Sequence, residues 1–254
     1  MLVNGKQMHI GITKGDVGRY CILPGDPGRC EKIAALFDEP KFIAQNREFV
    51  TFTGKLDGVP VSVCSTGIGA PSAAIAVEEL FECGVDTFIR IGTCGGINQK
   101  VCPGDLVIAT GAVRQDGTTT QYVPIEFPAV ADPDVVLALR QAAKAMGKPH
   151  HLGIVQAKDS FYGQHSPNRM PAAAELLNKW DAWKKAGVLA SEMESGALFV
   201  IASILGARAG AVFHTIWNQE RAAAGIVEEQ KHNTIDAITA AVNAIRILIA
   251  NDQG

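Results

Sequence analysis

The sequence has 254 residues, of which 47% are hydrophobic and 19% charged, and its 23 basic and 26 acidic side chains give a net charge of −3. This composition excludes a disordered chain, because disorder requires low hydrophobicity and a high net charge. The near balance of charge also gives no electrostatic reason to expect a nucleic acid or an anionic membrane as a partner. We therefore expect a folded protein that acts on a small molecule.

Short runs rich in β-forming residues alternate with longer helical patterns along the chain. Asp26 and Pro27 mark the start of one helix, and Asp57-Gly58 marks a tight turn between two strands. In chain order the predicted elements are a strand at 20–23, a helix at 29–37, strands at 49–56 and 59–65, a helix at 70–83, strands at 87–92 and 106–113, a helix at 133–146, a strand at 151–157, a helix at 172–186, a strand near 190, a helix at 194–205, a strand at 209–216 and a helix at 233–250.

This alternation predicts an α/β fold with helices on both faces of a largely parallel or mixed sheet. Several strands, such as Thr87 to Gly92, are continuous apolar runs, which is typical of strands that are buried on both faces. No linker, internal repeat or break in composition divides the chain. Residues 1–254 are therefore predicted to form a single domain.

The sequence also predicts a cytoplasmic location. The apolar stretch from Ala197 to Ala207 has about half of the roughly 20 residues that a membrane-spanning helix needs, so we interpret it as a buried helix. The first residues lack the basic segment, apolar core and cleavage site of a secretion signal. The six cysteines form no CxxC pair, and reduced thiols are expected.

Glycine-rich turns follow several of the predicted strands. In an α/β sheet, such turns lie at the carboxyl ends of strands, where backbone N–H groups can approach an anion. None has the spacing of a dinucleotide-binding or P-loop motif. Each turn by itself is equally consistent with an ordinary connection between a strand and a helix. The turns contain Gly25, Gly67 with Gly69, Gly92 to Gly96, and Gly104.

Three arginines strengthen the case for an anion site. Arg90 lies near the end of an apolar strand, where a lone guanidinium is costly unless an anion pairs with it. Arg29 follows the first glycine turn, and Arg47 offers another planar fork that suits a phosphate group. The alternative for Arg90 is a structural ion pair with Glu78 or Glu79.

The segment ASEMES brings two carboxylates together. Glu192 and Glu194 are two residues apart at the end of a predicted strand, so both can face one side. Such a pair is consistent with a glycosidase or with hydrogen bonds to ribose hydroxyls. The alternative is a helix capping box formed by Ser191 and Glu194. His9 has no metal-ligand partner nearby in the sequence, so by itself it is interpreted as an ordinary surface or core histidine.

Taken together, these motifs resemble one enzyme family. The run STGIGAPSAAIAVEEL, residues 65–80, is similar throughout to the signature of the nucleoside phosphorylase family. The segments GDPGRCEKIA, NREF, RIGTCGGI, PGDLVIAT, EFPAVADP and SEMES follow in the family's order. The resemblance implies one three-layer α/β domain around a mixed, partly barrel-like sheet. It also implies reversible phosphorolysis, in which phosphate displaces the base of a ribonucleoside and ribose 1-phosphate forms.

The resemblance further implies a set of site residues, of which Arg90, Glu194 and His9 are expected to be catalytic. The phosphate ligands implied are Gly25, Arg29, Arg90 and Thr93, with Arg47 from a neighbouring subunit. The ribose ligands implied are Met193 and Glu194, with His9 from the neighbour. The base-binding residues implied are Cys94, Gly95, Phe161, Gln164, Glu192 and Met193.

Because such sites are shared between subunits, the resemblance implies a homo-oligomer built from dimers, usually a hexamer. It implies no organic cofactor. A potassium ion between subunits is expected at the positions of Glu48, Ile68 and Ser72.

The base pocket departs from the family pattern in two places. The segment Cys94-Gly95-Gly96 replaces the more usual Thr-Gly-Ala. The uracil-binding loop of the pyrimidine branch, Phe-Tyr-Pro-Gly-Gln-x-Arg, is here FYGQHSPNR, in which Ser166 stands in place of the arginine. Arg169 and His165 are the two candidates to compensate.

Uridine is the expected nucleoside, because the amide of Gln164 can both donate to and accept from the polar edge of uracil. A purine nucleoside phosphorylase of the same fold is the main alternative, with Glu220 as the proton donor to the purine. A nucleosidase that uses water is less consistent with three arginines. A non-catalytic nucleoside-binding protein remains a remote alternative.

Overall fold

A ten-stranded mixed sheet organises the fold in a computed structural model that describes residues 1–253. Its strands run in the spatial order β11-β10-β8-β12-β7-β3-β6-β5-β4, with β9 paired to β8, and a separate ribbon is formed by β1 and β2. In chain order the strands are β1 (Leu2–Val3), β2 (Lys6–Gln7), β3 (Tyr20–Pro24), β4 (Asp38–Asn46), β5 (Phe49–Leu56), β6 (Val59–Cys64), β7 (Thr87–Gly96), β8 (Leu106–Gln115), β9 (Ala129–Val130), β10 (His150–Lys158), β11 (Ala190–Glu192) and β12 (Arg208–Asn218).

The sheet closes on itself at one side, which makes it partly barrel-like. Strand β11 is parallel to β10 and also pairs antiparallel with the end of β7, with Ser191 opposite Gly95. Strands β3, β7 and β12 are parallel neighbours, whereas β12 and β8 are antiparallel. The predicted fold class, an α/β domain around a mixed and partly barrel-like sheet, is confirmed.

Helices cover both faces of the sheet. In chain order they are α1 (Cys30–Ala34), α2 (Ala70–Glu82), α3 (Thr119–Tyr122), α4 (Pro133–Ala145), α5 (Phe161–His165), α6 (Ala173–Lys185), α7 (Ser195–Leu205), α8 (Gln219–Ala223) and α9 (Ile235–Gln253).

Two hydrophobic clusters lie on opposite sides of the sheet. Side chains alternate along a strand, so Cys21 of β3 joins the cluster of α2 and α7, whereas the adjacent Ile22 joins that of α4 and α9. On β7, Phe88 faces the α2 and α7 layer, and the same alternation puts Arg90 on that side. Arg90 therefore points from the sheet toward the layer in which α7 begins.

Most predicted elements are confirmed within a few residues at each end. The turn at Asp57-Gly58 has positive φ at both residues, 50° and 79°, as a two-residue hairpin turn requires. Helix α7 is buried along its first eight residues, in agreement with the interpretation of the apolar stretch in this region. Among residues 1–253, no helix is both long enough and apolar enough to cross a bilayer.

One predicted helix has the wrong bounds, and several elements were not predicted, of which strand β4 is the longest. The first helix is short, Cys30–Ala34, because Asp26 accepts from the N–H of Gly28 and a 3₁₀ turn over Pro27–Arg29 takes up the predicted start. Strand β4 was not predicted, since its residues are mostly exposed and polar. An edge strand pairs on one side only, so its sequence carries little of the apolar pattern that marks a central strand.

A cap on α4 gives a test of this architecture. Asp132 accepts from the N–H groups of Asp134 and Val135 at 3.0 and 3.1 Å, and Pro133 follows it. We expect Asp132→Ala to lower the free energy of unfolding by about 1 kcal/mol, since two helix N–H groups lose their acceptor. Urea unfolding at a fixed protein concentration measures the change. Asp132→Asn, which retains a capping oxygen, is the matched control, and equal losses in both variants would contradict the capping role.

Candidate active site

A cavity of about 960 Å³ opens where several strands end. Strands β3, β6, β7, β10, β11 and β12, or the turns that follow them, contribute to its wall, as expected for a site at strand ends. Among the predicted site residues, those that line the cavity are Gly25, Arg29, Glu48, Ile68, Arg90, Thr93, Cys94, Gly95, Phe161, Gln164, Glu192, Met193 and Glu194.

Arg90 is the buried cation at the centre of this wall. Its Nε donates to Glu192 Oε2 at 3.3 Å, and its Nη2 donates to Glu194 Oε2. Its Nη1 has no hydrogen-bond partner within residues 1–253. The alternative pairing of Arg90 with Glu78 or Glu79 is therefore wrong. The third nitrogen is therefore a buried donor without a partner, a need that an anion bound beside it would satisfy.

Gly25 packs closely against the Gly67 backbone beside the free nitrogen. A Cβ atom at this position would lie 4.0 Å from Arg90 Nη1 and 3.1 Å from the carbonyl oxygen of Gly67. Arg29 supplies a second guanidinium on this side of the cavity, and its side chain is 23% exposed. Burial lowers the pKa of Arg29, against the opposing effect of Asp26 at 3.8 Å. This side of the cavity therefore presents two guanidinium groups, whose charge is balanced by Asp26, Glu192 and Glu194.

The carboxylate of Glu192 already accepts hydrogen bonds from neighbouring groups of the protein. It accepts from the N–H groups of Glu194 and Ser195, from the Ser195 hydroxyl and from Arg90. These contacts cap α7 and fix the guanidinium, so few acceptor positions remain for a ligand. The carboxylate of Glu192 thus mainly supports the site, and the contact of Glu192 with the base stays a prediction.

Glu194 joins three parts of the site. One carboxylate oxygen contacts Arg90, and the other accepts from the N–H of Gly69 at 2.6 Å, in the turn before α2. Burial raises the pKa of Glu194, and the Arg90 guanidinium opposes that effect. The capping box of Ser191 and Glu194 is wrong, because Glu192 caps α7 and Ser191 makes other contacts.

A hydrogen-bonded chain that the sequence reasoning missed also contributes to the wall of the cavity. Lys158, the last residue of β10, donates to Ser191 Oγ at 2.6 Å, and Ser191 donates to Gln164 Oε1 at 2.7 Å. Burial lowers the pKa of Lys158 to about 8. The signal was present in the sequence, since a lysine that ends an apolar strand is as unusual as the arginine in β7.

Arg169 and His165, the two candidates to replace the arginine that is absent at Ser166, lie in different environments. Arg169 lies outside the cavity wall, with its guanidinium 5.2 Å from the centre of the Tyr162 ring. His165 lines the cavity and lies against Phe161, with ring centres 4.3 Å apart. Burial, and then the charge of Lys158, lower the pKa of His165, so its ring is neutral near pH 7.

The surroundings of Cys94 fix its protonation state, and those of Glu220 hold its side chain away from the cavity. Burial raises the pKa of the Cys94 thiol to about 12, so Cys94 forms a neutral part of the wall. Glu220 accepts from Trp180 Nε1 at 2.7 Å and pairs with Lys184 at 3.3 Å, outside the cavity wall. The proton-donor role that the purine alternative requires of Glu220 is therefore contradicted by its position.

His9, Arg47 and Ser72 do not line this chain's own cavity. His9 Nδ1 lies 2.7 Å from a carboxylate oxygen of Glu79. Arg47 has a φ of 53° in the turn between β4 and β5. Ser72 donates to Glu48 Oε1 at 2.8 Å, close to the cavity rim. If His9 and Arg47 act in a site, that site belongs to another copy of the chain.

Residues 19–250 match the profile described as the Phosphorylase superfamily. The chain is 54% identical to a uridine phosphorylase of Treponema pallidum (strain Nichols), over 97% of this chain and 96% of the relative. It is 42% identical to a uridine phosphorylase of Escherichia coli (strain K12), over 95% and 97%. It is 40% identical to a guanosine phosphorylase of Halorubrum lacusprofundi (strain ATCC 49239 / DSM 5036 / JCM 8891 / ACAM 34), over 96% and 99%.

The contacts of Glu192 with Arg90 and with the start of α7 predict a large loss of stability in Glu192→Ala. The substitution removes the cap of α7 and one partner of buried Arg90, so we expect the free energy of unfolding to fall by about 3 kcal/mol. Arg29→Ala, at the half-open edge of the same cavity, should lower it by no more than about 1 kcal/mol. Urea unfolding compares the two variants, and equal losses would show that Glu192 has no special structural role.

Proposed function

The chain belongs to the Phosphorylase superfamily, and from that membership we propose that it catalyses the reversible phosphorolysis of uridine to uracil and ribose 1-phosphate. Two relatives that cover nearly the whole chain, at 54% and 42% identity, carry the name uridine phosphorylase. The observation that carries the proposal is the buried Arg90, which has one guanidinium nitrogen free beside a second arginine. A water nucleophile would not need this positive charge.

In this proposal phosphate binds in the half of the cavity that contains the two guanidinium groups. Arg29 and the free nitrogen of Arg90 neutralise the dianion, and Thr93 adds a hydroxyl. Gly25 lines the same part of the cavity, and its backbone offers an N–H group to the phosphate. Binding at this position holds the nucleophile next to the sugar, which removes much of the entropic cost of bringing the two reactants together.

Ribose lies between the phosphate and the base, against Met193 and Glu194. As the bond to the base breaks, the sugar gains positive character, and the buried Glu194 carboxylate stabilises that charge and holds a ribose hydroxyl. Glu194 keeps its geometry because Arg90 and the N–H of Gly69 fix both of its oxygens. No covalent bond to the protein is needed.

The base occupies the half of the cavity that contains Cys94, Gly95, Phe161 and Gln164. Phe161 is 50% exposed in a single chain, which leaves ring surface free to stack on a pyrimidine. The side-chain amide of Gln164 contacts the polar edge of uracil.

The reaction balances without a cofactor. A phosphate oxygen forms a bond to C1′ while the bond from C1′ to N1 of uracil breaks, and its electron pair moves onto the base. Hydrogen phosphate gives up its proton as the ester forms, and the uracil anion takes up one proton to leave as neutral uracil.

Guanosine is the second candidate substrate, because the relative from Halorubrum lacusprofundi is named guanosine phosphorylase. A purine is easiest to expel when an acid protonates its ring. Glu220 is the acid considered for that role, and it is held by Trp180 and Lys184 outside the cavity. This arrangement favours the pyrimidine.

We propose that the protein is a cytoplasmic homo-oligomer built from dimers, in which His9 and Arg47 enter the cavity of the neighbouring subunit. Glu48 and Ser72 have their oxygens close together near the exposed Ile68, and these hard oxygen ligands fit a monovalent cation such as potassium. A two-fold related chain would double the ligand set.

A phosphate requirement is the direct test of this function. Purified protein with uridine and phosphate is expected to yield uracil and ribose 1-phosphate, and to yield no uracil above background in phosphate-free buffer. Arg29→Ala should raise the KM for phosphate about 10-fold, since one charged contact is lost. Arg246→Ala, which removes a surface partner of Asp57, is the matched control and should leave that KM unchanged.

Equal rates with and without phosphate would overturn phosphorolysis. Faster cleavage of guanosine or inosine than of uridine would overturn the pyrimidine assignment.

Mixed oligomers test the shared site. His9→Ala and Glu194→Ala subunits are each expected to be inactive alone, because every site carries one defect. Co-assembled, they should regain activity, since some sites then draw His9 and Glu194 from intact positions on different chains. Activity that stays at the level of the separate variants, with mixing confirmed by mass spectrometry, would place both residues in one subunit's site.

A further inference from the structure

The base half of the cavity contains a buried cation to which the proposed mechanism gives no role. Lys158 is 5% exposed, although it lines the cavity. The carboxylates of Glu192 and Glu194 attract its charge, but the protein already engages both with other donors. Burying an ammonium group is costly, so a lysine held here without a carboxylate of its own needs a reason.

The direction of the hydrogen bonds around Lys158 follows from its chemistry. An ammonium group can only donate, so Ser191 Oγ must accept from Lys158 at 2.6 Å. The single hydroxyl hydrogen of Ser191 is then free to donate to Gln164 Oε1 at 2.7 Å. The amide oxygen of Gln164 accepts this bond, which leaves Nε2 as the free donor of a side chain that lines the cavity. This differs from the expectation that Gln164 both donates to and accepts from the base.

We propose that Lys158 is a positioning residue that, through Ser191, holds Gln164 as a hydrogen-bond donor to a carbonyl oxygen of the departing base. This inference rests on the proposed function, because it concerns the leaving group of uridine phosphorolysis. Lys158 keeps its proton throughout. Its charge also lies on the side of the cavity where the base leaves, whereas Arg29 and Arg90 serve the phosphate.

The chemistry of the leaving group explains why a donor is needed. When the bond from C1′ to N1 breaks, its electron pair moves onto the pyrimidine ring and is delocalised onto O2 and O4. A preorganised donor at one of these oxygens stabilises the charge as it develops. Ser166 cannot supply a cation, Arg169 lies against Tyr162, and the lowered pKa of His165 leaves that ring neutral. Lys158 remains as the cation in this half of the cavity.

The arrangement makes a prediction about pH. The groups around Lys158 are Glu192 on β11, Glu194 at the start of α7, Cys94 on β7, His165 on α5 and the adjacent Asp159, whose carboxylate accepts from the N–H of Gly117 at 2.9 Å. Burial lowers the pKa of Lys158 to about 8, so the charge is present below that pH and is lost above it. A neutral amine can accept from Ser191, which frees Gln164 to turn its oxygen toward the base. We expect kcat for uridine to fall as pH rises through about 8.

The test compares two leaving groups in wild type and Lys158→Met. Fluorine at C5 stabilises the uracil anion, so 5-fluorouridine needs less help from the protein than uridine does. We expect Lys158→Met to lower kcat for uridine about 100-fold, as for loss of one preorganised donor, and to lower kcat for 5-fluorouridine clearly less. The KM for phosphate should not change, and the decline in kcat near pH 8 should disappear. Lys179→Met, on the exposed face of α6, is the matched control and should behave as wild type.

Ser191→Ala breaks the same chain while it keeps the lysine, and it repeats the test if Lys158→Met does not fold. Equal losses of kcat for the two nucleosides, or a decline near pH 8 that persists in Lys158→Met, would overturn the role of Lys158 and leave uridine phosphorolysis intact. A wild-type protein that cleaves no uridine would overturn the proposed function and this inference with it.

Discussion

The buried ion pair between Arg90 and two carboxylates is the constraint on which the site depends. A guanidinium in the middle of a central strand cannot be left unpaired, and here Glu192 and Glu194 neutralise it. Each carboxylate is itself fixed by backbone N–H groups, from the start of α7 for Glu192 and from Gly69 for Glu194. One charged cluster therefore locks together β7, β11, the turn before α2 and the first turn of α7.

The closure of the sheet makes this cluster possible. Strand β11 has only three residues, but it pairs with both β10 and the end of β7. That double pairing brings Glu192 and Glu194 to Arg90 from more than a hundred residues away in the sequence, and it brings Ser191 beside Lys158 at the end of β10. Strand β11, which closes the partial barrel, thus positions the partners of both Arg90 and Lys158.

The proposed mechanism gives the cations of the cavity two different tasks. Arg29 and the free nitrogen of Arg90 bind the phosphate, and Lys158 with its chain to Gln164 serves the base. In phosphorolysis the nucleophile and the leaving group are both negatively charged, while the sugar between them becomes positive. Cations at both ends and the Glu194 carboxylate between them match that distribution of charge. Catalysis in this design comes from charges that are fixed before the substrate arrives.

The sequence by itself determined the α/β class and most of the elements through local patterns, and most of the expected site residues through its resemblance to a known enzyme family. Apolar runs, glycine turns and an arginine in a buried strand can be recognised one segment at a time. It did not determine which groups pair. Only the tertiary structure decided that Arg90 meets Glu192 and Glu194 instead of Glu79, that Glu192 caps a helix, and that Ser191 connects Lys158 to Gln164. Apart from the local cap that Glu192 forms, these contacts join residues far apart in the chain, and their partners are selected by the register of β11 against β7 and β10, which no local pattern encodes.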